Sequence, residues 1–228
     1  MQLNPSPPPR AQGRRVTRSR AALLAAAVRL VSERGTTAIA VTDLADTANV
    51  SRQLVYLQFG DRESLFVEAA VDLVRRELLP ELAANVGDQL GVADQVDIAD
   101  RRQPILVTAR HFARHRSFYR AMLTGSCAFA MTRALDELFS GFQRPAIRLL
   151  FGDVDGRSVD DLTAFLASGT GGLINNWLID GEDPLDPEAL ADRLLGILSF
   201  LFAHPRHAHQ LTHPQAAHPH PRADGAHP

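Results

Sequence analysis

The chain has 228 residues, 45% of them hydrophobic and 22% charged, with a formal net charge of -2. Such a balance excludes collagen-like, coiled-coil and wholly disordered polymers, and the length suits one large domain or two small ones. A single cysteine, Cys127, excludes an internal disulfide and a cysteine-built metal centre.

The charge is unevenly placed. Residues 1–65 carry nine Arg against five acids, whereas the remainder carries 15 Arg against 21 acids. The basic end is therefore the one that suits nucleic acid, and because every cation is Arg, phosphate contacts would use a planar fork that stays charged. The longest apolar runs, such as the one ending at Phe202, fall short of the roughly 20 residues that span a bilayer, and no apolar signal core follows a basic start. A cytoplasmic protein with no membrane partner is expected.

In chain order, residues 1–16 hold Pro5, Pro7, Pro8 and Pro9 with Arg10, Arg14 and Arg15, and predict a flexible basic arm. Arg14, Arg15, Arg18 and Arg20 would add salt-sensitive affinity for DNA, because neutralised phosphates release counterions. From Arg18 to Arg34, Leu23, Leu24, Ala27, Val28, Leu30 and Val31 recur three and four apart, which predicts a helix ended by Gly35. Leu44, Ala45 and Ala48 then share a face, and Asn49-Val50 leads into Ser51–Leu57, predicting two short helices about a tight turn. Asp61 caps a fourth helix that runs until Pro80 approaches. Further helices are expected near 81–90, 103–114, 116–123 and 127–150, the last bent at Pro145, with a loose segment at 92–102. Ser158 with Asp161 predicts a helix start that leads past Trp177 to Gly181, and Asp186-Pro187 opens the last helix. No alternating strand pattern is present, so the fold class is all-α.

The run Val41–Phe59 has the layout of a DNA-reading helix-turn-helix. Asn49 stands where the turn needs a left-handed residue, and Asn tolerates that conformation best after Gly. Ser51 caps the second helix and leaves backbone amides at its tip to face a phosphate. Arg52 and Gln53 in its first turn can make forked hydrogen bonds to guanine and adenine edges, while Leu54 and Val55 anchor the helix.

Leu23, Arg34-Gly35, Leu44-Ala45, Ala48-x-Val50-Ser51, Tyr56-x-x-Phe59 and Asp61-Arg62-Glu63-x-Leu65-Phe66 together resemble the N-terminal domain of the TetR/AcrR family of bacterial repressors. Asn49, Leu57-Gln58 and Arg62 depart from the usual Gly, aromatic or Arg with His, and Lys. The resemblance implies that Thr42, Ser51, Tyr56, Gln58 and Arg62 hold phosphates while Arg52 and Gln53 read bases, and the basic N-terminal stretch would add phosphate contacts through Arg14, Arg15 and Arg18. It implies a three-helix, homeodomain-like DNA-binding domain over 17–62 and a helical ligand-binding and dimerisation domain over 63–204. The last two helices would pair with their mates as a four-helix bundle. The protein would then be a homodimeric, nucleoid-associated bacterial repressor on a palindromic double-stranded operator.

Two features of the residues themselves suit that dimer. The helix segment Leu194–Phe202 is apolar nearly all round and needs a covering partner, and Gly169, Gly171 and Gly172 permit close helix approach. A pocket for a small hydrophobic or amphipathic effector is expected among His111, Phe118, Met122, Phe139, Asn175, Asn176 and Trp177, because pockets are mainly apolar with few placed polar groups. Seven of the nine histidines lie from His204 onward in a Pro-rich stretch that predicts a disordered tail over 205–228. No cofactor and no metal site are expected, and no phosphate loop, His-Glu-x-x-His or nucleophile elbow suggests an enzyme. An activator, or a regulator answering a protein partner in place of a small molecule, would carry the same pattern.

Overall fold

A computed structural model describes residues 9–90, 102–151 and 155–202, and every regular element among them is helical. The N-terminal head is formed by α1 (Pro9–Arg34), α2 (Val41–Thr47), α3 (Arg52–Phe59) and α4 (Arg62–Leu73). A π-helical turn, Val74–Leu78, carries α4 into α5 (Leu79–Leu90). The body continues through α6 (Arg102–Arg114), α7 (Arg116–Leu123), α8 (Ala128–Phe151), α9 (Gly156–Asp180) and α10 (Pro187–Phe202). Part of the expected loose segment, residues 92–101, and the tail 205–228 lie outside the described residues.

Three boundaries differ from the sequence reading. Much of the expected arm is helical, because α1 begins at Pro9, and proline is well suited to a first helical position. The fourth helix does not stop before Pro80. Proline lacks an amide hydrogen and its ring crowds the carbonyl four residues back. The chain widens there instead, with the Leu79 amide donating to the Val74 carbonyl across a π-helical turn. The start of α9 is capped by Asp155 rather than Ser158: its carboxylate accepts from the Arg157 and Ser158 amides at 3.1 Å and from the Ser158 hydroxyl at 2.6 Å. These bonds hold the Asp155 carboxyl below its ordinary range.

The expected stripe of α1 is buried, with Leu23, Ala27 and Val31 fully enclosed against α4 and α7. Leu44, Val55, Phe59, Leu65, Phe66 and Leu73 join the same buried cluster as Phe112, Phe118, Tyr119, Met131 and Leu178 of the body. Head and body are therefore joined by continuous apolar packing through α1 and α4, and close-packed interiors transmit displacement. The turn between α7 and α8 adds a second junction. A β-carbon on Gly125 would collide with the Thr37 hydroxyl, so only glycine lets that turn approach the α1–α2 connection.

Asn49 takes φ 53°, the left-handed value expected of it, and the Asn49 and Val50 amides donate to the Asp46 and Ala45 carbonyls at 3.1 and 2.9 Å. A β-branched residue there meets the full steric penalty. Asn49→Val is expected to lower stability by about 1 to 2 kcal/mol in urea unfolding, whereas Asn49→Gly should hold or raise it. Equal losses in the two variants would contradict a conformational origin.

Candidate functional site

The tip of α3 is built by local rules. Ser51 is extended, with φ -78° and ψ 149°, and its hydroxyl accepts from the Leu54 amide at 3.3 Å, which starts the helix and leaves its first amides outward. Val55 and Phe59 are buried beneath, so the opposite face carries Arg52, Gln53 and Tyr56 to the surface, Tyr56 being 54% exposed. Thr42, in the first turn of α2, is also exposed. Ala40, Val41, Thr42, Ser51, Arg52, Gln53 and Tyr56 line one open concavity of about 720 Å³. Its wall combines a helix tip, hydroxyls, an amide and a guanidinium, which are donors suited to phosphate and to base edges. Arg14, Arg15 and Arg18 are exposed along the first turns of α1.

Three polar residues expected to face DNA are partnered or enclosed within the chain instead. Arg62 donates through one guanidinium nitrogen to the Ile39 carbonyl at 3.0 Å, and its Nε is enclosed without a partner. It braces the start of α4 against the α1–α2 connection. Both side-chain polar atoms of Gln58 are enclosed, also without a hydrogen-bond partner, while its neighbour Leu57 stands 80% exposed. The helical phase of α3 decides this: Val55 and Phe59 point inward, and Gln58 lies beside them. Arg20, one of the cations read as part of the DNA contact, pairs with Glu68, donates to the Gln58 carbonyl at 3.2 Å and lies 4.4 Å over the Phe59 ring. That guanidinium ties α1 to the end of α3 and to α4.

In the body, His111, Phe118 and Met122 are buried in the shared core, with Phe139 and Trp177 packed at its edge. Asn175 is half-buried, but Asn176 is exposed on the outer face of α9, because one residue along a helix turns the side chain by about 100°. The structure thus separates Asn176 from the other residues expected to form a pocket. Gly171 faces α8, where a β-carbon would sit 3.2 Å from an Asp136 oxygen, while Gly169 and Gly172 border open space.

Two polar constellations in the body were not anticipated. His111 Nε2 lies 3.0 Å from the Tyr119 hydroxyl, and His115 Nε2 lies 2.7 Å from Glu77 Oε2. Burial above all, with the neighbouring His115, pushes the His111 imidazole down to about 4, so it is neutral at pH 7. Burial raises the Glu77 carboxyl, but the His115 hydrogen bond and nearby cations outweigh it and hold the group below its ordinary range. The spacing His111-x-x-x-His115 was visible in the chain, whereas the π-helical turn that presents Glu77 was not. The second constellation is Arg116, whose guanidinium donates to the Leu178 and Gly181 carbonyls and pairs with Asp183.

A helix-turn-helix whose capped second helix exposes an Arg-Gln pair, mounted on a helical body, defines a DNA-binding regulator. Residues 23–69 match the family model of bacterial regulatory proteins of the tetR family. Similar solved structures include the TetR family repressor AlkX from Dietzia sp. strain DQ12-45-1b, implicated in biodegradation of n-alkanes, at 20% identity and a TM-score of 0.53. That alignment covers 80% of this chain and 94% of the other. A TetR transcriptional regulator from Rhodococcus sp. RHA1 aligns over 80% of this chain and 96% of its own at 17% identity, with a TM-score of 0.52. At these identities the two structures speak for the fold. No curated protein matches the chain. Residues 23–69 thus carry the N-terminal domain of the tetR family of bacterial regulatory proteins, and no helix among the described residues is long and apolar enough to cross a membrane.

Proposed function

We propose that the protein is a repressor that binds a palindromic operator as a homodimer and is released by a small hydrophobic or amphipathic effector bound in the body. The observation that carries the reading is the concavity at the tip of α3, where Arg52, Gln53, Tyr56, Thr42 and the Ser51-capped amides converge. Arg52 and Gln53 read base edges in the major groove, and Thr42, Ser51 and Tyr56 hold the flanking phosphates. Arg14, Arg15 and Arg18 contribute charge without sequence preference. Gln58 and Arg62 support the reading head from beneath rather than touching DNA.

The dimer is supported by the outer faces of the last two helices. Phe165 on α9 is 64% exposed, and Ile197 and Leu201 on α10 are exposed as well. With Gly169 and Gly172 open beside Phe165, this surface suits close packing against a second copy. Two recognition helices then enter successive major grooves about 34 Å apart. An effector that prefers a body conformation with the heads wrongly spaced lowers operator occupancy, and α4, packed into head and body alike, transmits the change.

The test begins by selecting an operator from random duplexes. Arg52→Ala is expected to reduce discrimination between that operator and random DNA by about 1 to 3 kcal/mol, while Arg15→Ala weakens both alike. Equal losses on both duplexes for Arg52→Ala would remove the base-reading role. Compounds screened for release of the selected duplex then test the effector half of the reading.

A further inference from the structure

His111 and His115 are one helical turn apart, a spacing that puts two side chains on one face, and their ring centroids are 5.0 Å apart. From the π-helical turn, Glu77 reaches the same point, with Oε2 2.7 Å from His115 Nε2 and 4.0 Å from His111 Nδ1. One donor atom from each of the three lies within 4.8 Å of the others.

The His111 side chain is 3% exposed, and its Nδ1 has no hydrogen-bond partner. An enclosed polar nitrogen left this way costs about 1 to 3 kcal/mol, so its surroundings call for an explanation. In the tautomer whose Nε2–H donates to the Tyr119 oxygen, the one that can ligate a metal through Nδ1, that nitrogen presents a lone pair toward the Glu77 carboxylate. Two electron-rich atoms facing each other across a small gap are stabilised by a cation between them. The Arg76 guanidinium does not fill that place, because it lies 3.6 Å from the other carboxylate oxygen and is itself paired with Asp72 at 2.8 Å.

We propose that Glu77, His111 and His115 bind a divalent transition metal ion of the zinc class. Two imidazoles and one carboxylate suit Zn²⁺ or Co²⁺ far better than Ca²⁺ or Mg²⁺, which prefer all-oxygen sets. A tetrahedral ion with bonds near 2.1 Å sets its donors about 3.4 Å apart. The 2.7 and 4.0 Å separations bracket that value, so small side-chain rotations complete the set. Three protein donors leave a fourth position for water or an added ligand. Tyr119 orients the His111 ring by engaging its other nitrogen, as an outer hydrogen-bond partner fixes the ring of a metal-bound histidine. An ion here bridges the turn after α4 to α6 and so locks the DNA-head connector to the body. That consequence for operator binding rests on the function proposed above, whereas metal binding itself does not.

The seven tail histidines are a competing source of imidazole, so the test uses the full chain with His204, His207, His209, His213, His218, His220 and His227 replaced by Asn. Zn²⁺ and Co²⁺ alone are titrated without DNA, against a competing chelator. The expected result is one ion per chain and the intense visible absorption of tetrahedral Co²⁺. Glu77→Gln and His115→Asn should each weaken binding at least about tenfold and bleach the band, with the circular dichroism unchanged. Absence of the Co²⁺ band in the parent, or undiminished affinity in Glu77→Gln, overturns the site. Glu77 is half-buried, so its variant decides the matter even if a histidine variant fails to fold. Because no DNA is present, failure of the operator reading leaves the result untouched.

Discussion

Phe165→Asp is expected to leave the chain monomeric at micromolar concentration and to weaken operator binding by roughly 100-fold or more. Phe165 projects from the outer face of α9 with 64% of its surface exposed, next to Gly169 and Gly172. In the proposed dimer this ring is enclosed between helices of two copies, and a carboxylate there would bury charge without a partner. Once the two heads are separate, the second half-site is no longer delivered at high effective concentration, which is where the large factor comes from. Sedimentation and gel shift measure the two halves of the claim. Thermal stability of the monomer should fall little, because the ring has few neighbours within its own chain. A variant that stays dimeric would move the interface elsewhere.

Arg116→Ala is expected to lower stability by about 2 to 4 kcal/mol, a large loss for one side chain outside the apolar core. The Arg116 side chain is only 12% exposed, and it donates to the Leu178 carbonyl at 3.1 Å and to that of Gly181. Those carbonyls belong to the last turn of α9 and to the residue that caps it, where helix carbonyls lack partners within the helix. Removing the guanidinium strands them in a partly enclosed place and releases Asp183, so the loss combines two acceptors and an ion pair. A drop of roughly 5 to 15 °C in melting temperature corresponds to this range for a chain of this size. Arg120→Ala, on the exposed side of α7, serves as the control and should stay within about 0.5 kcal/mol of the parent. Equal effects of the two would mean that the α9 terminus does not depend on the clamp.

The head was legible because its determinants are local. The apolar period of α1, Gly35, the left-handed Asn49, the Ser51 cap and the Asp61 cap each act within four or five residues. At the start of α9 the cap is Asp155 and not the expected Ser158, because it is the Asp155 carboxylate that meets the free amides, and spacing did not reveal it. The continuation past Pro80 was hidden for a similar reason: a proline rule describes a regular α-helix and has no place for a π-helical turn.

The polar sites divide along the same line. Arg52 and Gln53 follow directly from the cap and the helix phase, so their exposure needed no knowledge of distant residues. Arg20, Gln58 and Arg62 look like ordinary surface residues in a basic segment, yet each is claimed by a partner or a cavity from another element. Glu77 and His115 are far apart in the chain and meet only because the π-helical turn and α6 pack together, as Arg116 meets the end of α9 through the α7–α9 contact. Charge distribution, periodicity and capping are properties of neighbours along a chain, and they were enough for an all-helical chain with a capped helix-turn-helix near its basic end. Which guanidiniums turn inward, and which imidazoles share a carboxylate, depends on what the packed helices leave enclosed, and that information exists only after folding.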